Sequence, residues 1–262
     1  MTHKAIVLSL LVLSLAASPC IAVDSGTPGA TQPVAPAVDA STIEALKNMG
    51  AYLQTLHRFQ VKSEVTRETV LTDGQKLQFS ASAQVDIQRP NKARVLISSA
   101  RAEREMIYDG KTVILYTPAL KYYASAETAD TIRGMQKQLE EKYGVAFPLV
   151  DLFVWGTPEA PLDKIESAMN AGQDIIGQEL CDHYVFRQGT LDWQIWISAG
   201  DRPLPRKMVI TRRDDEARPQ SVSLLTWNLK PTFKDSIFKF TPPKDAKLIS
   251  VRPLNTSKGV QP

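Results

Sequence analysis

Residues 77–88 read Leu-Gln-Phe-Ser-Ala-Ser-Ala-Gln-Val-Asp-Ile-Gln, so that Leu77, Phe79, Ala81, Ala83, Val85 and Ile87 alternate with polar neighbours without a break. A period of two sustained over this length belongs to a strand with one dry face and one wet face. Upstream, Phe59, Val61, Val65 and Leu71 alternate with Gln60, Lys62, Glu64 and Glu68, and Thr72-Asp73-Gly74 supplies a tight turn between the two runs. The pair therefore reads as a long hairpin with one buried face. Downstream, Arg89-Pro90-Asn91-Lys92 turns the chain into a third strand, Ala93 to Ser99, and Asp109-Gly110-Lys111 separates Glu103–Tyr108 from Thr112–Thr117. These consecutive short strands make an antiparallel meander rather than a βαβ series.

Helical spacing frames the meander. Ser41-Thr42-Ile43-Glu44 has the spacing of a capping box, and Ile43, Leu46, Met49 or Gly50, Leu53 and Leu56 then recur every three to four residues. The spacing predicts one amphipathic helix ending near His57. A second helix is expected over Glu127–Tyr143, with Ile132, Met135, Leu139 and Tyr143 on one face and Gly144 as C-cap. The stretch from Phe147 to Trp155 is the most apolar of the chain after the N-terminal segment, and Leu162–Ala168 suits a short third helix. Strands then resume at Gln173–Gln178, Leu180–Gln188, Asp192–Ser198, Arg206–Arg213 and Gln220–Leu229. Phe238-Lys239-Phe240-Thr241-Pro242-Pro243 reads as an edge strand stopped by prolines. The fold class expected is α+β: a long, curved antiparallel sheet with helices covering its concave face, in one domain.

The domain is expected to span residues 41–251. Residues 1–22 (MTHKAIVLSLLVLSLAASPCIA) have the form of an export signal, with a positive Lys4, an apolar run from Ala5 to Ala16 and small residues placed for cleavage after Ala22. A membrane anchor needs about 20 apolar residues, and Ser14, Ser18 and Pro19 interrupt this run. Acylation at Cys20 is the other reading, and Pro19 fits it poorly. Residues 23–40, rich in Pro, Ala, Gly and Thr, read as a flexible leader, and residues 252–262 as a tail. The location expected is the periplasm, with no transmembrane anchor in the mature form.

The 262 residues carry a net charge of +3 from interspersed charges of both signs, which lacks the one-sided basic stripe of a nucleic-acid partner. Removal of Cys20 with the signal leaves Cys181 without an internal partner, so the domain stands on its core alone. Of the three histidines, His57 and His183 fall after the signal, and neither has ligand spacing; no metal and no cofactor are expected. Cys181 and His183, two apart on a strand, lie roughly 6–7 Å apart, too far for a direct nucleophile–base bond. Asp214-Asp215-Glu216 reads as a solvated hairpin tip between arginines. No nucleophile elbow, phosphate loop or dinucleotide fingerprint is present, and no enzymatic activity is expected.

Asp192-Trp193-Gln194-Ile195-Trp196-Ile197 places an indole on each face of a strand, Trp193 with Ile195 and Ile197, and Trp196 opposite. Met135, Met169 and Met208 add adaptable apolar groups. Tyr108-Asp109-Gly110-Lys111-Thr112, Cys181-Asp182-His183-Tyr184-Val185-Phe186-Arg187, the Trp193–Trp196 strand and Arg202-Pro203-Leu204-Pro205-Arg206-Lys207 together resemble the DUF 2092 family of predicted periplasmic proteins, which shares the fold of the LolA/LolB-like lipoprotein carriers. The resemblance covers about Ser41 to Val251. It implies a half-open barrel accepting a lipid or a lipoprotein acyl chain without catalysis. Val65, Phe79, Val85, Ile97, Met106, Met135, Leu139, Phe147, Trp193, Ile195 and Met208 are then the candidate lipid-binding residues. The alternative is an envelope interaction or sensor module whose barrel is filled by its own side chains. Oligomeric state stays open.

Overall fold

The computed structural model describes residues 37–145, 154–251 and 253. The signal, most of the leader, Phe147 and nearly all of the tail lie outside the described residues. Twelve strands form one open sheet in the order β12-β6-β5-β4-β3-β2-β1-β11-β10-β9-β8-β7. The first meander comprises β1 (Arg58–Val70), β2 (Lys76–Gln88), β3 (Lys92–Ser98), β4 (Glu103–Tyr108), β5 (Thr112–Thr117) and β6 (Tyr122–Glu127). The second comprises β7 (Ser167–Ile176), β8 (Glu179–Gln188), β9 (Leu191–Ser198), β10 (Pro205–Arg212) and β11 (Gln220–Asn228). The two meanders meet at an antiparallel seam between β1 and β11, with Val61 opposite Trp227. Among the described residues every strand pairing is antiparallel except that of β12 (Lys247–Leu248) with β6, and an isolated bridge between Val38 and Ala168 is also parallel. The mixed α+β class and long antiparallel sheet read from the alternation are what the chain forms.

This order dictates how the connections run. β6 and β7 lie toward opposite edges, so residues 128–166 must cross a face of the sheet to join them. Helix α2 (Ile132–Tyr143) lies in that crossing and buries Ile132, Met135 and Leu139 in the main apolar cluster. Helix α1 (Ala40–Thr55) buries Leu46, Met49 and Leu53 in the same cluster, beside Phe59, Val61, Val85 and Ile87 of the sheet. A second crossing uses the other face. From the end of β11, residues 229–246 return to the β6 edge as a strap. Arg58 lies 4.4 Å over the Phe233 ring, Lys92 pairs with Asp235 at 3.4 Å, and Phe240 sits 5.4 and 5.2 Å from Tyr116 and Tyr123. Beneath it, the buried Asp86 carboxylate accepts hydrogen bonds from Gln60 (2.6 Å) and Gln84 (3.0 Å).

Four local expectations are corrected. Helix α1 begins one residue before Ser41, because the Asp39 carboxylate is the N-cap and accepts from the Ser41 amide at 2.8 Å. Tyr122–Glu127 is a strand, and α2 starts only at Ile132, where the Thr131 hydroxyl accepts from the Gly134 amide at 3.1 Å. Leu162–Ala168 is no helix: Leu162–Lys164 makes a single 3-10 turn, and β7 begins at Ser167. Phe238 closes a 3-10 turn, Asp235–Phe238, instead of opening an edge strand. It is only 1% exposed, so tertiary burial under the strap overrides the apolar alternation of Phe238 and Phe240.

Candidate functional site

Strand register decides which side chains share a face. Directly opposed residues project the same way, so pairings can be followed across the sheet. From Val61 the row runs through Val85 and Val95 to Met106 and Leu115 on one side. Through the β1–β11 seam, Val65 faces Ser223, which faces Met208, which faces Ile195. Val65, Phe79, Val85, Ile97, Met106, Trp193, Ile195 and Met208 therefore all occupy the face that carries the helices, and Met135 and Leu139 cover it from α2. Val85, Met106, Met135, Leu139, Trp193 and Ile195 are buried, whereas Val65, Phe79, Ile97 and Met208 are half-buried toward the hairpin end of the sheet.

A cavity of about 760 Å³ opens on this face, between the 154–166 part of the crossing and β8–β10. Trp155, Ile165, Leu191, Trp193, Met208 and Ile210 give it apolar walls, with Lys164 and Gln188 among its polar groups. Of the candidate residues, the cavity brings together Trp193 and Met208. Sequence reasoning did not single out Trp155, Leu191 or Ile210. Trp155 had a legible signal, since it ends the most apolar stretch just before Gly156. Leu191 and Ile210 had none beyond ordinary strand alternation.

The aromatic wall is a stack. Trp193 lies 4.0 Å from Phe186 at 13° between rings, and 5.5 Å from Trp155 at 27°. Trp155 is held by backbone proximity: a Cβ placed on Gly50 of α1 would lie 2.2 Å from the Gly156 nitrogen. Its carbonyl accepts from Gln54 at 3.3 Å, while its indole N–H is buried with no hydrogen-bond partner among the described residues. On the opposite face of β9 from Trp193, Asp192 accepts from Arg187 at 2.7 Å, and this bond above all holds the Asp192 carboxyl below its ordinary range. On the cavity face, opposite Ile195, burial pushes the Tyr184 hydroxyl to a higher pKa.

The opposite face of β8–β10 holds a smaller cluster of Cys181, Trp196 and Val209. His183 stacks on Trp196 at 4.0 Å, Lys207 lies 4.3 Å over the same indole, and the Trp196 N–H donates to Asp174 at 3.2 Å. The His183 ring bonds Gln194 at 3.0 Å, and the Cys181 thiol donates to the Glu179 carbonyl at 3.6 Å, so the two groups are committed to different partners. Burial, with the Glu179 charge adding to it, raises the Cys181 thiol above its usual range. Among the described residues, no cluster of three metal-ligating side chains occurs, and no helix is long and apolar enough to cross a membrane.

Residues 42–252 match the family described as "Predicted periplasmic protein (DUF2092)". The chain belongs to the DUF2092 family. No curated protein matches it. Among solved structures, this DUF2092 chain is similar to LprF from Mycobacterium bovis, with 16% identity, 80% of this chain and 99% of that one covered, and a TM-score of 0.44. Lipoprotein LppX from Mycobacterium tuberculosis is similar at 12% identity, 74% and 98% coverage and a TM-score of 0.47. A LolA superfamily protein from Nitrosomonas europaea is similar at 14% identity, 78% and 99% coverage and a TM-score of 0.33.

Proposed function

We propose that this DUF2092 protein is a non-enzymatic periplasmic protein that binds a lipid or lipidated partner by an acyl chain. The observation that carries the reading is the apolar cavity of about 760 Å³ beside Trp155, Trp193 and Met208, within the roughly 300–1,000 Å³ that small-ligand sites occupy. Each buried methylene contributes about 0.8 kcal/mol, so a chain of about ten could be held without any charged contact. The export signal read from residues 1–22 and the family description support an envelope location. A second reading, an interaction module filled by its own side chains, draws on the near-complete burial of Ile195, Met135 and Leu139.

Native mass spectrometry and lipid extraction of the purified protein, with titration of a fluorescent fatty acid, test the first reading. Met208→Glu puts a carboxylate on the cavity wall at a half-buried position and should weaken the probe by at least about tenfold, with far-UV circular dichroism unchanged. A protein that emerges lipid-free and leaves the probe unbound overturns lipid binding in favour of the filled module.

A further inference from the structure

Ile210 is a wall of more than the apolar cavity. The same residue borders a second recess of about 540 Å³, whose lining also includes Arg67, Glu68, Arg212, Asp215 and Ser221. An aromatic and aliphatic recess and a polar recess at the hairpin end of the sheet therefore adjoin at Ile210.

Not every cation of that end is held in an ion pair among the described residues. Glu68 is engaged by Lys76 at 3.2 Å and by the Gln220 amide at 2.9 Å, and Arg212 is held by Asp214 at 2.8 Å. Asp215 accepts from the Ala217 amide within its own turn. Arg67, by contrast, takes part in no ion pair among the described residues, and register places it on the cavity face between Phe79 and Ser221. Arg101 lies 3.9 Å over the Phe79 ring, and Arg104 stands opposite Ile97 on the same face; neither has a carboxylate partner among the described residues. Three exposed guanidinium groups thus border the half-buried apolar residues Val65, Phe79 and Ile97. Guanidinium groups bind carboxylate and phosphate oxygens in paired, directional hydrogen bonds.

We infer that Arg67 and Arg101, with Arg104 beside them, form a headgroup subsite that selects amphiphiles with an anionic head. This rests on the acyl-chain reading above and adds the class of lipid: an anionic lipid, its chain beside Trp193 and Met208 and its carboxylate or phosphate at the arginines.

Binding of matched probes decides it: one fluorescent chain ending in a carboxylate, an alcohol or an amine. The wild-type protein should bind the carboxylate at least about tenfold tighter than the alcohol or amine, a difference of about 1.4 kcal/mol. The exposed double variant R67E/R101E should erase that preference, leave alcohol binding unchanged and keep its circular dichroism. Raising the salt concentration should shrink the preference in the wild type only. Acetate, a head without a chain, should not displace the probe, and displacement by acetate alone would make this a free-anion site and overturn the proposal. Equal binding of the three probes, or an unaltered preference in R67E/R101E, overturns the headgroup subsite while leaving the acyl cavity standing. Binding of none of them removes the acyl-chain reading, and the subsite with it.

Discussion

Gly50 is the position at which helix propensity and packing disagree most sharply. It lies inside α1, where alanine is favoured over glycine by about 0.8–1.0 kcal/mol, so a surface argument makes Gly50→Ala stabilising. The structure reverses the sign. The added Cβ would stand 2.2 Å from the Gly156 nitrogen and 2.3 Å from the Trp155 carbonyl carbon, against 3.4–4 Å for ordinary contact. Backbone atoms cannot rotate away, so α1 and the Trp155 turn must separate by more than an ångström. Overpacking costs about 1–3 kcal/mol, and a clash with backbone belongs at or above the upper end. Net of propensity, destabilisation of about 2 kcal/mol is expected, which lowers Tm by about 4–8 °C in a domain of this size. Because Trp155 stacks on Trp193, the separation should also reduce the near-UV circular dichroism of the tryptophans. Thermal melts, urea titration and near-UV spectra of G50A measure both effects. A variant as stable as the wild type or more so, with the same near-UV spectrum, would refute the close approach.

Three further predictions concern the other face. Cys181 is fully buried with its thiol pKa raised, so alkylation should be slow in the native protein and fast in guanidinium; equal rates would contradict that burial. Because the folded pKa is raised, the stabilising contribution of the protonated thiol is complete below about pH 8.5, the ordinary thiol value. It is lost as pH rises from there toward the folded pKa, and Cys181→Ala should remove this part of the alkaline slope. Phe238→Ala empties a site that is 1% exposed beneath the strap, at a cost of about 3 kcal/mol or more. Limited proteolysis should then cut within 229–246 before the sheet, and an unchanged digestion pattern would deny the strap its anchor.

What could be read from the residues follows from how local each signal is. The hairpin of β1 and β2 is legible because its alternation is long and its turn is short, and the opposite facing of Trp193 and Trp196 follows from strand geometry alone. β6 was hidden because Tyr122-Tyr123-Ala124-Ser125-Ala126-Glu127 contrasts little between faces, and only pairing with β5 shows that Ala124 and Ala126 point to the core. The Asp39 cap was missed because Ser41 and Glu44 offered a nearby alternative of correct spacing. The cavity was half legible. Trp193 and Met208 could be placed on an apolar face, but Leu191 and Ile210 become lining only where the crossing leaves space above them. The approach of Gly50 to Gly156 joins parts of the chain far apart in sequence, and no local pattern announces it. The same holds for Arg67 and Arg101, which meet around Phe79 only once β1 and β2 are in register.

The seam at which Val61 stands opposite Trp227 sets an order of events during folding. One edge of β1 finds β2 across a short turn, while its other edge must wait for a strand that emerges only after the second meander and the crossing. Pairing at such sequence separation slows folding, and until it occurs β1 presents unpaired amides and carbonyls beside Phe59, Val61 and Val65, an invitation to the wrong chain. The N-terminal meander is thus the half that needs guarding while the rest of the polypeptide arrives. The arrival of β11 is the step that ends that exposure.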